Sequence, residues 1–258
     1  MSFDQDPAIE VVRNDDGSIQ SIDHVRRPWP VAGAGVQQPS DPISVAHQYL
    51  LTVAEDYRIP RGVLRDTPTA FTAPRESASE STFNLKTLDL RERFRSKAVV
   101  YQQTLRDLPV WGAKLTITLN GKNQVVNSAS SIQLDNLEVA KPGDDARFIH
   151  HRVSERDLRQ LLALQGGADN VEIKDEQVEQ QQLYVYRYKK DSRQEVADVD
   201  ASAPTLTLPA VPETVQEGDN YTVREVLFFL GLSGHEDLNW RALIEVEDGT
   251  ILYLRALS

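Results

Sequence analysis

The 258-residue sequence contains no cysteine. That excludes a disulfide framework and a thiolate metal site. No apolar run approaches the roughly 20 residues that a membrane-spanning helix needs, so no membrane insertion is expected. Cations are the minority charge: Lys and Arg number 28 against 39 Asp and Glu, a formal net charge of −11. A surface short of cations disfavours nucleic acid, whose phosphates are bound when Lys and Arg displace counterions. It also disfavours anionic lipid headgroups. It would suit a basic protein partner, and it keeps the chain soluble. The first ten residues, Met1 to Glu10, lack the basic-then-apolar pattern of a secretory leader. A chain that stays inside, one exported by a signal-independent route, and a piece cut from a longer protein all remain open.

Catalytic constellations are lacking as well. The five histidines are His24, His47, His150, His151 and His235, and no two have the His-Glu-x-x-His spacing that sets two imidazoles on one helix face for zinc. His150 and His151 are adjacent, so in a strand their rings would point to opposite faces. His235-Glu236-Asp237 has no further histidine after it to complete a metal site. There is no Gly-x-Ser-x-Gly elbow and no glycine-rich phosphate loop. Ser233-Gly234-His235 lacks the third group that orients a triad. The expectation is a non-enzyme with no cofactor, no metal and no catalytic residues.

What is present is an ordinary globular composition, 40% hydrophobic and 26% charged, long enough to bury a core without staples. Residues 1–40 read as an N-terminal arm. Asp15-Asp16-Gly17 is a turn signal between Val11-Val12 and Ser18 to Ile22, a possible short hairpin, and Arg27-Pro28-Trp29-Pro30 is too proline-dense for a helix. Asp41-Pro42 opens a helix, with Asp41 as N-cap and Pro42 in the first turn. Ile43, Ala46, Tyr49, Leu50, Val53, Ala54 and Tyr57 give it one apolar face, and Ile59-Pro60 with Arg61-Gly62 end it.

After a Pro/Thr/Ser-rich connection the period changes to two. Ala98 to Thr104 reads as a strand, and Val110-Trp111-Gly112 marks a change of direction. Leu115, Ile117 and Leu119 then alternate with Thr116, Thr118 and Asn120. Asn120-Gly121 predicts a two-residue type I′ turn, in which both central residues have positive φ, and Gln124 to Ser130 returns as the partner strand. Lys141-Pro142-Gly143-Asp144-Asp145 reads as a boundary. Ser154 with Asp157 resembles a capping box ahead of Leu158, Leu161 and Leu162, and Gly166-Gly167 stops that helix. Leu183 to Tyr188 alternates as a strand with Tyr184, Tyr186 and Tyr188 on one face; that stripe could stack bases or sugars or pack on a helix. Residues 201–220 read as a long loop. Val223 to Leu232 is a buried strand or a short helix. Trp240 to Val246 and Thr250 to Leu254 form a hairpin across Asp248-Gly249.

The run Val99-Val100-Tyr101-Gln102-Gln103-Thr104-Leu105-Arg106-Asp107-Leu108-Pro109-Val110-Trp111-Gly112-Ala113 resembles the propeptide motif of fungalysin- and thermolysin-type metalloproteases. In that pattern a strand ends in a Gln-rich turn, and a Gly-Ile-Pro-Val-Phe-Gly-like segment leads into a second strand, a glycine turn and a returning strand. Here Asp107 stands where the family has Gly, and Trp111 replaces Phe or Tyr. The helix from Asp41 to Tyr57 fits the start of such a pro-region. Ser154 to Gly167 and the closing hairpin, Trp240 to Leu252, resemble a PepSY-type domain. The resemblance implies an α+β fold with two antiparallel sheets, each packed by one or more helices. It further implies an FTP-like domain over 41–140 and a PepSY-like domain over 141–258.

Its functional implication is a folding chaperone or inhibitor of a thermolysin-type metalloprotease. The alternative is a propeptide-like fold reused as an interaction or structural module of a larger multidomain protein or assembly. In either case the partner is a protein: a metalloprotease domain or another subunit. Gln102, Gln103 and Trp111 are the candidate partner-binding residues. In the competing structural reading, Trp111 fills the core between sheet and helix and the glutamines bond to backbone at the turn.

Overall fold

The computed structural model describes residues 6–29, 41–60, 63–64, 83–93, 95–133, 138, 178–195, 206–230, 238–247 and 249–257. The chain divides into two units, Met1–Leu137 and Glu138–Ser258. The described residues are mostly β-sheet, with one α-helix.

The first unit holds β1 (Glu10–Arg13), β2 (Ile19–Asp23), α1 (Pro42–Val53), β3 (Phe83–Arg93), β4 (Ser96–Leu105), β5 (Leu108–Asn120) and β6 (Val125–Ser130). The strand order is β1-β2-β6-β5-β4-β3, antiparallel throughout. The short hairpin expected around Asp15-Asp16-Gly17 is β1–β2, and it extends the sheet through β2 and β6. The alternation along β5 is as the sequence predicts: Leu115, Ile117 and Leu119 are fully buried, while Thr116, Thr118 and Asn120 are half-buried.

Helix α1 packs against β4, β5 and β6. Asp41 caps it, its carboxylate accepting from the N–H groups of Ile43 (3.1 Å) and Ser44 (3.0 Å). These bonds satisfy two of the orphan donors of the first turn; against the opposing effect of desolvation, the Ser44 hydroxyl and then these two N–H groups hold the Asp41 carboxyl below its usual range. The far end closes as a Schellman motif. Ile59 N–H donates to the Ala54 carbonyl (2.7 Å), Arg58 N–H donates to the Glu55 carbonyl (3.0 Å), and Arg58 sits at φ 55°. Ala54 and Ile59 are both buried, as the hydrophobic contact of that motif requires.

Strand β3 was not expected. Its pairing with β4 shifts register between Thr87 and Asp89, so Leu88 has no opposite residue. The bulge breaks the period-two pattern that marks a strand in sequence.

The second unit holds β7 (Val178–Arg187), β8 (Gln194–Glu195), β9 (Asn220–Leu230), β10 (Leu238–Glu245) and β11 (Ile251–Leu257). Its order is β7-β9-β10-β11-β8, antiparallel except for the parallel β8–β11 pair. The apolar run after Asn220 is therefore a strand, with Val223 and Val226 fully buried. The expected β10–β11 hairpin is present, and Glu245 N–H donates to the Thr250 carbonyl (2.9 Å) at its end. Tyr186 and Tyr188 are buried and Tyr184 is half-buried. The boundary at 141–145, the helix over Ser154–Gly167, and His150, His151 and His235 lie outside the described residues.

Candidate partner-binding site

The site grows from a mismatch between β4 and β5. Gln102 faces Lys114 and Thr104 faces Pro109, so Gln103 alone stands opposite Val110, Trp111, Gly112 and Ala113. Those four residues bulge out of the ladder, a feature that proteins use to re-aim side chains. The change of direction expected at Val110-Trp111-Gly112 is not a chain reversal. The reversal lies earlier, where Leu105 pairs with Leu108 and both Arg106 (φ 48°) and Asp107 (φ 67°) are left-handed. Two positive φ values in a two-residue loop define a type I′ turn.

The type I′ turn expected at Asn120-Gly121 is consequently a correction. Gly121 does not have positive φ; Asn123 does, at 55°. Asn123 N–H donates to the Asn120 carbonyl (3.0 Å), and Asn120 N–H donates to the Gln124 carbonyl (2.8 Å). The loop is a three-residue type I turn closed by a left-handed residue. The Asn120 side chain secures it, its Oδ1 accepting from the N–H groups of Lys122 (2.9 Å) and Gln124 (3.0 Å).

Gln102 fills the mouth of the bulge. Its Nε2 donates to the carbonyls of Val110 (2.7 Å), Ala113 (2.9 Å) and Gln103 (3.0 Å). The bulge takes these carbonyls out of the ladder, and a buried carbonyl without a donor costs about 1–3 kcal/mol. Gln103 is fully buried and imitates a strand: its Oε1 accepts from Gln133 N–H (2.9 Å) and its Nε2 donates to the Gln133 carbonyl (2.8 Å). Ser131 holds the far side. Its hydroxyl lies 2.6 Å from the Gly112 carbonyl and 3.2 Å from the Lys114 carbonyl, and it accepts from Lys114 N–H (3.0 Å). Between these clamps Gly112 is exposed at φ 72°, and Trp111 is half-buried. The structure thus brings the three sequence candidates together at one bulge, Trp111 within it and Gln102 and Gln103 on the facing strand, with the glutamine amides turned to backbone and Trp111 partly at the surface. Ser131 had no sequence signal, since a serine after a strand is commonplace.

Beneath the same sheet lies a buried polar chain. His24 Nε2 lies 3.0 Å from the Tyr49 hydroxyl, which is 3.2 Å from Ser128 Oγ, and the Tyr57 hydroxyl is 2.7 Å from Ser128 Oγ and 3.1 Å from the Ser128 carbonyl. Burial lowers the His24 pKa and raises those of both tyrosines, Tyr57 to about 12. In the second unit Glu225 is buried, 2.8 Å from Arg241 Nε, and burial raises its carboxyl pKa against the opposing pull of the guanidinium. Among the described residues no group of three or more acidic or histidine side chains could hold a metal ion, and no helix is long and apolar enough to cross a membrane.

Residues 97–131 match the Fungalysin/Thermolysin Propeptide Motif. The matched span runs from β4 through the bulge and β6 to Ser131, so all three sequence candidates and both clamps except Gln133 fall within it. No curated protein matches the chain. Among solved structures, the Bacillus megaterium YpeB C-terminal domain is similar at 9% identity, over 99% of this chain and 92% of that one, with a TM-score of 0.28. A likeness at that level carries no weight for architecture.

Proposed function

We propose that this chain is a non-catalytic, propeptide-like module that binds a thermolysin-type metalloprotease and acts as its folding chaperone and inhibitor. The observation that carries this reading is the propeptide motif over residues 97–131 together with the clamped bulge built by its residues. In this reading residues 41–140 are the FTP-like domain and 141–258 the PepSY-like domain. Trp111 contacts the partner, while Gln102 and Gln103 hold the loop that presents it. Tryptophan is the residue type most often found at energetic centres of interfaces. A rigid loop also loses little entropy on docking. The net charge of −11 favours a basic docking face.

The test is to titrate the whole chain into a thermolysin-type metalloprotease and follow both residual activity and refolding yield of the denatured enzyme. Inhibition at micromolar chain with an increased refolding yield is expected. No effect on either at that concentration, with the metalloprotease encoded nearest to this chain, would sink the reading.

A further inference from the structure

We propose that the His24–Tyr49–Ser128–Tyr57 chain is a pH-sensitive latch that docks residues 6–29 onto α1 and β6 at neutral pH and releases them on acidification. The four groups come from three separate pieces of chain, so the cluster is where those pieces are joined. All four residues are buried, Tyr49 and Ser128 completely. Around the latch, His24 N–H donates to the Val126 carbonyl (2.9 Å), and Trp29 and Val125 exchange backbone bonds of 2.9 and 2.6 Å. The Tyr49 ring is flanked edge-on by His24 at 5.4 Å and by Trp29 at 5.2 Å.

The charged and titratable groups around the latch come from every side. Asp23, Asp6, Arg27 and the Tyr49 hydroxyl act on His24 itself; Tyr57 and Asp56, from the turn after α1, act on Tyr49; β6 contributes only the neutral Ser128 and Asn127. The ring hydrogen-bonds to the Arg27 backbone, an interaction that favours the protonated form and so comes from a ring N–H. A neutral imidazole has one such proton, so Nε2 accepts from Tyr49. Tyr49 in turn accepts from Ser128, and the Tyr57 proton is shared between the hydroxyl and carbonyl of Ser128. Protonation of Nε2 reverses every donor in the row, which ends harmlessly at the Ser128 carbonyl. The hydrogen bonds therefore survive; the buried charge is what disfavours the docked state. Desolvation outweighs the help of Asp23 and Asp6, and the histidine pKa is lowered from 6.5. A group depressed in the docked state stabilises it above the released-state pKa, and that contribution is lost as pH falls below about 6.5. Burial also lowers the pKa of His47 on α1, so its contribution must be separated experimentally.

Hydrogen exchange of the full chain between pH 7.5 and 5, corrected for intrinsic rates, tests the latch. Protection of residues 19–29 and 125–128 should fall below pH 6.5 by up to about tenfold per pH unit, the limit for one proton, while β9 and β10 hold theirs. H24Q should flatten that dependence, and H47Q should keep it. The same dependence in H24Q, or none in the wild type, would overturn the proposal. A ring-proton NMR titration needs no variant: the His24 midpoint should lie below 6.5, and the fall in protection should run between about 6.5 and that midpoint; a fall confined to pH values outside that interval would refute the latch.

Discussion

The side-chain amide of Gln102 donates to the carbonyl of Ala113 at 2.9 Å and, with the same nitrogen, to Val110 at 2.7 Å. One side chain thereby replaces the ladder partners that two residues of a bulge have lost. The bulge and the glutamine are a single device, and neither is useful without the other.

Q102E tests this with almost no change of volume. A carboxylate has no proton to give, so it would set charge against three carbonyls. We expect destabilisation of about 3 kcal/mol or more, larger than for Q102L, which leaves the carbonyls unpaired at about 1–3 kcal/mol. Denaturant unfolding would measure both. Equal stability of Q102E and wild type would show that the amide is not the lock.

The turns give a paired test at glycine. Gly121 has an ordinary φ, and among the described residues an added Cβ would meet only the Arg95 carbonyl, at 3.5 Å. Gly112 has φ 72° with open space around it. G121A should change stability by less than about 0.5 kcal/mol, whereas G112A should cost about 1 kcal/mol or more from backbone strain alone. A type I′ turn at Asn120-Gly121 would give a large cost at Gly121. At the true type I′ turn, the double change R106N/D107G installs the favoured Asn-Gly pair and should stabilise by about 1 kcal/mol.

The buried tyrosines fix the behaviour in alkali. The Tyr57 pKa is raised to about 12, and burial raises those of Tyr49 and Tyr101 as well. Groups whose pKa is raised in the folded state stabilise it fully below the unfolded value near 10, and that stability is lost as pH rises through the folded value. A phenolate absorbance titration should therefore show Tyr49, Tyr57 and Tyr101 ionising only together with unfolding, above pH 10. Y57F should weaken the dependence of stability on pH between 10 and 12. Reversible ionisation of all eight tyrosines near pH 10 with secondary structure intact would contradict the burial.

Local signals were readable in the sequence, and long-range ones were not. Asp41-Pro42 marks the start of α1 because capping chemistry acts within a few residues, whereas α1 ends at Val53, short of the expected Tyr57, and Ile59 belongs to the closure that follows it. The alternation of Leu115, Ile117 and Leu119 reports burial directly. Asn120-Gly121 misled because the pair fits two loop types, and which residue becomes left-handed is decided by the register of β5 on β6. Arg106-Asp107 carries no glycine to advertise its turn, and β3 was hidden by the bulge at Leu88. Gln102, Gln103 and Trp111 were singled out by resemblance, but the part each plays depends on partners up to 30 residues away. The His24–Tyr49–Ser128 chain links residues separated by 25 and 79 positions, a distance over which no local pattern operates.

Calorimetric titration of the whole chain against a thermolysin-type metalloprotease shows whether the bulge presents Trp111 to a protein partner. A complex with Kd of micromolar or tighter is expected. W111A should weaken it at least about tenfold, and S131A less so, with folding of both variants unchanged by circular dichroism. Equal affinities for wild type and W111A, or no binding by the wild type to the metalloprotease whose gene lies nearest its own, would contradict it.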